Sequence, residues 1–289
     1  MFLSRLALGT VQFGLNYGIS NTHGQTGFDE VKKILQKAAQ LGIDTLDTAR
    51  GYGDSEQVIG NCNSKSFKIV SKFPGTVHSI EELKVSLKMS LLNLQTGSLY
   101  AYMAHDADAL LKNPVLWESL KELKEAGAVQ KIGYSLYNPD QLQQLLQMKC
   151  LPGIVQLPYN FIDRRFEKYF PLLKSLDCEV HVRSVFLQGL FFLQPASLTT
   201  FFEPVKPLLL LLRERFKSEN EIAGFLMNFI LRTSSIDKLV FGVNTLAQLE
   251  ENISNLQLTA AEKQFNWDEP VPLDILMPNK WPKQIFAHE

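Results

Sequence analysis

The chain has 289 residues, 45% of them hydrophobic, enough to bury one large core. Lys and Arg number 29 against 30 Asp and Glu, a balance that argues against a nucleic-acid partner and against a charged, disordered segment. Cys62, Cys150 and Cys178 form no C-x-x-C pair, the start MFLSRLALGT lacks a long apolar run, and the leucines of 208–212 are too few to span a bilayer. A reducing, cytoplasmic setting with no membrane partner is therefore expected.

In chain order, the first short apolar run is 5–8, followed by an amphipathic helical stretch at 28–41 that ends at Gly42, where a left-handed cap suits glycine. Strand-like runs follow at 43–46 and 68–71, then a helix at 79–92, a strand at 99–103 and a helix at 113–126 closed by Gly127. After a run at 132–134, Asn138-Pro139-Asp140 turns the chain into a helix at 140–149, and further runs lie at 154–157 and 179–183. The longest connection comes next. It carries Phe191-Phe192, Phe201-Phe202, Pro204 and Pro207 before helical stretches at 208–216 and 219–231, then the last strand at 238–241.

Eight strand-to-helix alternations predict an α/β chain, one (β/α)₈ barrel domain over 1–289. An extra helical segment is expected between strands 7 and 8, and a C-terminal tail from about Pro270 should fold over the barrel. An open doubly wound sheet is disfavoured, because LGTVQFG after the first strand lacks the G-x-G-x-x-G spacing of a dinucleotide turn.

A barrel gathers the carboxyl ends of its strands on one face. Asp47 follows the second run, Lys72 ends the third, His105 ends the fourth, and Tyr52 lies five residues beyond Asp47. Taken singly, each has a plainer reading: Asp47 as a cap or salt-bridge partner, Tyr52 as a packed aromatic, Lys72 as a solvated strand end, His105 as a hydrogen-bonded strand terminus. Together they suit proton transfer to a carbonyl oxygen. A phenol is a poor acid at neutral pH, and a nearby ammonium is expected to lower its pKa. Asp47 would hold Lys72, and His105 would hydrogen-bond the oxygen.

The segments LDTARGYG (46–53), SKF (71–73) and MAH (103–105) resemble, in order and spacing, the catalytic segments of the aldo-keto reductase family. GTVQFG (9–14), KIGYS (131–135), VQLPYN (155–160), FGVN (241–244) and QLEENI (248–253) extend the resemblance over roughly residues 3 to 256. It implies a (β/α)₈ barrel that reduces an aldehyde or ketone with a nicotinamide cofactor, NADPH, with NADH the alternative. It also implies that Tyr52 is the general acid, that Asp47 and Lys72 tune it, and that His105 positions the substrate oxygen. Ser135 and Gln156 would meet the nicotinamide carboxamide. Gly242, Asn244, Gln248 and Asn252 would meet the phosphate and adenosine, Thr10 and Gln12 would floor the site, and Arg183 or Ser184 would touch the diphosphate. Two positions depart from the family pattern: Ser135-Leu136 replaces the common Ser-Asn, and GVNTLAQ (242–248) has no cation for a ribose 2′-phosphate.

Phe13, Tyr17, Phe73 and Phe186, beside Tyr52, are the expected substrate wall. Asn16, Asn21, Thr22, His23 and Gln25 lie in a first loop whose polarity would suit a sugar-derived carbonyl. The five histidines, His23, His78, His105, His181 and His288, form no H-E-x-x-H, so no metal is expected. The alternatives are a Schiff-base aldolase or lyase using Lys72, and a non-catalytic nicotinamide-binding regulatory protein. The expected partner is a small carbonyl substrate, and the expected state a monomer or weak homo-oligomer.

Overall fold

Eight parallel strands close in sequence order into a barrel: β1 (Leu6–Gly9), β2 (Thr45–Asp47), β3 (Lys68–Phe73), β4 (Leu99–Ala104), β5 (Val129–Ser135), β6 (Ile154–Pro158), β7 (Glu179–Arg183) and β8 (Lys238–Gly242). Closure is made by β1 against β8, with Leu8 opposite Phe241 and Gly9 opposite Gly242. The strands are short and mostly buried on both faces, which is why several, such as LALG, LYAYMA and IVQLP, read in sequence as near-continuous apolar runs. The computed structural model describes residues 2–18, 21, 24–62, 64–258 and 265–282.

The helices between the strands cover the barrel with one face each. Helix Phe28–Gln40 buries Val31, Ile34, Leu35 and Ala38, the spacing of a single helical stripe. It stops where predicted: Gly42 takes φ +78, and Ile43 N–H donates to Ala38 O at 3.0 Å as the chain turns into β2. Gly127 (φ +76) ends helix Val115–Glu125 in the same way. Helix Pro139–Gln147 begins one residue earlier than predicted, because Pro139 fits the first helical position and Asn138 with Gln141 forms a reciprocal cap.

Two glycines set the height of the loop that carries Tyr52. A Cβ on Gly14 would lie 1.9 Å from Tyr52 O, and one on Gly53 would lie 2.3 Å from Gly14 O. The backbone after β1 and the backbone after β2 therefore touch, which only glycine allows.

The β7–β8 connection holds the expected helices, Lys206–Arg215 and Glu219–Leu231, after short 3₁₀ turns. Trp281 of the tail packs edge-on against Phe202 at 4.9 Å, and its Nε1–H donates to Ile275 O at 3.0 Å. That anchor brings Pro278 and Asn279 to the carboxyl-end mouth of the barrel. Among the described residues, no helix is long and apolar enough to cross a membrane.

Candidate active site

A cavity of about 680 Å³ opens at the carboxyl ends of the strands, with Gly9, Asp47, Ser135, Gln156, Arg183 and Gly242 in its floor and rim. It is of the size that holds small ligands. Beneath the floor, Lys72 is fully buried and its Nζ meets three acceptors: Asp47 Oδ1 and Oδ2, both at 2.8 Å, and Thr48 O at 3.0 Å. An ammonium has three donors, and here all three are engaged. Burial pulls the Lys72 pKa down while the Asp47 carboxylate opposes that pull. Gln156 Nε2 donates to Asp47 Oδ1 at 2.7 Å, so the carboxylate is satisfied from β3 and β6 together.

Tyr52 and His105 line the cavity above this pair, ring centroids 5.3 Å apart and planes at 82°. Lys72 Nζ lies 5.4 Å from the Tyr52 ring centroid. Burial first, and then the charge of Asp47, hold the phenol well above its ordinary pKa. The expectation that Lys72 lowers it is corrected on this point: the ammonium is compensated by a carboxylate that acts on the phenol in the opposite sense. Tyr52 therefore keeps its proton at neutral pH. For His105, burial first, and then the Lys72 and Arg183 charges, bring the imidazole down to about 3. It is neutral, with one N–H to give.

The His105 shift has a thermodynamic consequence. Its folded value lies below the unfolded value of about 6.5, so the unfolded chain takes up the proton first. Stability from this group is full above about pH 6.5 and is lost as pH falls toward about 3. Between about pH 6.5 and about pH 5, above the carboxylate range, the melting temperature should fall more steeply for the native chain than for His105→Gln. Parallel slopes in calorimetric scans would contradict the buried neutral imidazole.

Also in the lining, within charge reach of His105, the Arg183 guanidinium stacks 4.7 Å from the Tyr137 ring centroid and donates to Leu136 O at 3.0 Å. The chain beyond it is strained, with φ of +67 at Ser184, +44 at Leu187 and +53 at Gln188. Gln188 Nε2 then donates to the Tyr17 hydroxyl at 2.9 Å, tying the loop after β7 to the loop after β1 across the mouth. Two lining residues carry buried oxygens with no partner among the described residues, Gln12 Oε1 and Asn244 Oδ1. The Gln12 amide crosses directly over Gly242, where a Cβ would meet its Oε1 at 2.5 Å.

The model of the aldo/keto reductase family matches residues 5–267. The chain belongs to this family. It is 25% identical over 252 residues to the uncharacterized oxidoreductase YqkF of Bacillus subtilis, covering 76% of this chain and 80% of that one. It is 27% identical over 188 residues to aldo-keto reductase YhdN of the same organism, covering 57% and 53%. Its fold matches that of the holo form of aldo-keto reductase AKR11C1 from Bacillus halodurans with a TM-score of 0.69 at 20% identity, over 98% of this chain and 94% of that one.

As an aldo/keto reductase the chain is an oxidoreductase of a family that uses nicotinamide cofactors. Its cavity brings together most of the residues singled out in the sequence. Asp47, Tyr52 and His105 line it, and Lys72 stands directly behind Asp47. Thr10, Gln12, Ser135, Gln156, Arg183, Ser184, Gly242, Asn244, Gln248 and Asn252 also line it. Thr10 commits its hydroxyl to Asp47 O at 3.0 Å, leaving it as wall rather than donor. Of the expected substrate wall, Tyr17 and Phe186 reach the cavity.

Phe13 and Phe73 do not. Both are fully buried in the hydrophobic core, Phe73 at 5.6 Å from Tyr102. In the first loop, Gln25 is taken up by Phe13 O at 3.0 Å and Asp54 at 2.8 Å, and Asn16 accepts from Asn21 at 3.2 Å. Asn21 reaches the lining, while Thr22 and His23 lie outside the described residues. Sequence reasoning missed Tyr137, Gln188, Phe192, Pro278 and Asn279, all in the lining. Tyr137 had a signal, being two residues past Ser135; the others come from irregular turns with none. Leu136 at the departed amide position is fully buried, and its N–H donates to Gln156 O at 2.8 Å.

Proposed function

We propose that this chain reduces an aldehyde or ketone to an alcohol with a reduced nicotinamide dinucleotide, and that Tyr52 gives the proton. The observation that carries this is the pairing of a protonated phenol with a neutral imidazole in one cavity, 5.3 Å apart and above a fully paired Asp47–Lys72 couple. The unpartnered acceptors of Gln12 and Asn244 fit a ligand rich in donors, such as a carboxamide or a ribose.

When bound, the nicotinamide cofactor supplies the hydride chemistry. The chain's own residues do the rest. Tyr52 donates to the carbonyl oxygen and passes its proton as negative charge grows there, and the His105 N–H meets the same oxygen. Lys72, locked on Asp47, keeps a positive charge close beneath the oxygen that develops the negative one. Gln156, its amide nitrogen used by Asp47, keeps its oxygen for the nicotinamide carboxamide, and Ser135 joins it. Arg183 meets the diphosphate, and Gln248, Asn252 and Asn244 meet the adenosine half. Tyr17, Phe186 and Asn21 border the substrate, which places small hydroxylated aldehydes and keto-sugars in the class to test first.

A Schiff-base role for Lys72 is disfavoured by its geometry, because all three donors of the ammonium are engaged and no lone pair is free to attack. The test is oxidation of the reduced dinucleotide by the purified protein with a panel of aldehydes, ketones and keto-sugars. Carbonyl-dependent oxidation is expected. Binding without turnover across the panel would favour a regulatory protein, and a borohydride-trapped adduct on Lys72 would favour the lyase.

A further inference from the structure

The cavity is short of cations at the end where a dinucleotide would place its second ribose. Among the described residues, Arg183 is the only Lys or Arg in the lining, and a diphosphate needs it. With the reacting end of the ligand at Tyr52 and His105 and its diphosphate at Arg183 on β7, the far nucleoside falls to the β8 end. There the lining is Asn244, Gln248 and Asn252 together with two carboxylates, Glu219 and Glu251.

Just outside the lining, the chain meets the start of the helix that carries Gln248 and Asn252 with a carboxylate of its own. Leu246 N–H, the first of helix Leu246–Leu258, donates to Glu30 Oε1 at 2.7 Å. The contact holds the Glu30 carboxyl below its usual range, so it is ionised at neutral pH. The first amide of the helix, at the positive dipole end that would attract a phosphate monoester, is thus already met by a carboxylate, whose other oxygen lies 3.4 Å from the exposed Lys33 in a weak surface pair. Asn244 stands two residues before Leu246. Its N–H is taken by Gln248 Oε1 at 2.7 Å and its O accepts from Thr26 at 3.1 Å, but its buried Oδ1 has no partner among the described residues. An unpartnered acceptor asks for a donor. A ribose hydroxyl supplies one, whereas a dianionic phosphate brings only further acceptors.

We infer that this pocket selects a dinucleotide whose adenosine ribose carries free hydroxyls, NADH over NADPH, with Asn244 accepting from a ribose hydroxyl and Glu30 repelling a phosphate. This rests on the dinucleotide-binding role proposed above and reverses the preference that the family resemblance implies.

The experiment is a pair of fluorescence titrations of the full chain with NADH and NADPH at two ionic strengths, with no carbonyl present. NADH should bind at least about tenfold tighter at low salt, and the gap should narrow as salt screens the partly exposed Glu30. Glu30→Gln keeps an acceptor for Leu246 N–H while removing the charge. It should tighten NADPH several-fold and leave NADH nearly unchanged. Asn244→Arg should tighten NADPH further and weaken NADH by removing the acceptor. Equal or tighter NADPH binding by the native chain, or a ratio insensitive to Glu30→Gln and to salt, would overturn the inference while leaving the dinucleotide site intact. Binding of neither would overturn the site as well.

Discussion

Replacing Tyr52 with Phe should lower kcat for carbonyl reduction by about 10²–10⁴-fold, the range general-acid catalysis supplies, with dinucleotide affinity essentially unchanged. The ring that packs edge-on against His105 remains, and only the transferable proton is removed. The expected split follows from timing. A proton that moves only as charge grows on the carbonyl oxygen contributes to the transition state and little to the ground state, so kcat falls and the dinucleotide dissociation constant does not. Because the phenol is held well above its ordinary pKa by burial and Asp47, the native rate should show no loss of Tyr52's proton between about pH 6 and about pH 9. Steady-state rates beside a fluorescence titration measure both halves. An unchanged kcat in the Phe variant would remove Tyr52 from the chemistry.

Lys72→Met should destabilise the fold by about 3–5 kcal/mol, because it strands the Asp47 carboxylate in the barrel without its cation. Asp47 is 3% exposed and would keep only the Gln156 amide, at 2.7 Å. The double variant Asp47→Leu with Lys72→Met removes both charges, and it should recover most of that loss, since a buried pair is worth far less than the penalty for breaking it. Neither variant should reduce carbonyls at a useful rate. Urea unfolding of the native chain, both singles and the double closes the cycle. A Lys72→Met loss below about 1 kcal/mol, or a double variant no better than the single, would mean that the pair is not the coupled buried unit the geometry describes.

The barrel is legible in the sequence because its strands are buried on both faces and its helices end on glycines. All eight apolar runs overlap strands, and Gly42 and Gly127 take the left-handed conformation their positions suggested. The four residues Asp47, Tyr52, Lys72 and His105 were readable because the fold brings successive strand ends to one face. The Phe73 error could have been avoided on pleating alone. Neighbours on a strand point to opposite faces, so once Lys72 is turned into the barrel toward Asp47, Phe73 must turn outward, where it meets Tyr102. Phe13 sits instead on a helical turn, Val11–Gly14, where neighbours diverge by about 100°: Gln12 crosses to Gly242, and Phe13 goes to the core.

Other features were beyond sequence reach. The Gln188–Tyr17 bridge depends on positive φ at Leu187 and Gln188, residue types that do not advertise that conformation. The tail contact depends on Trp281 finding Phe202, a pairing about 80 residues apart with no local signal. The Tyr52 pKa direction was misjudged because burial, the largest influence on it, is invisible until the fold is known.

The most direct test of the proposed chemistry follows one atom. The native chain is incubated with reduced dinucleotide carrying deuterium at the transferable position and with the best aldehyde from the panel, and the alcohol is analysed by mass spectrometry and NMR. Stoichiometric deuterium on the carbinol carbon, lost almost entirely in Tyr52→Phe over the same interval, is the expected result. An alcohol without carbon-bound deuterium, or equal labelling by the Phe variant, would contradict carbonyl reduction by hydride transfer with Tyr52 as the acid.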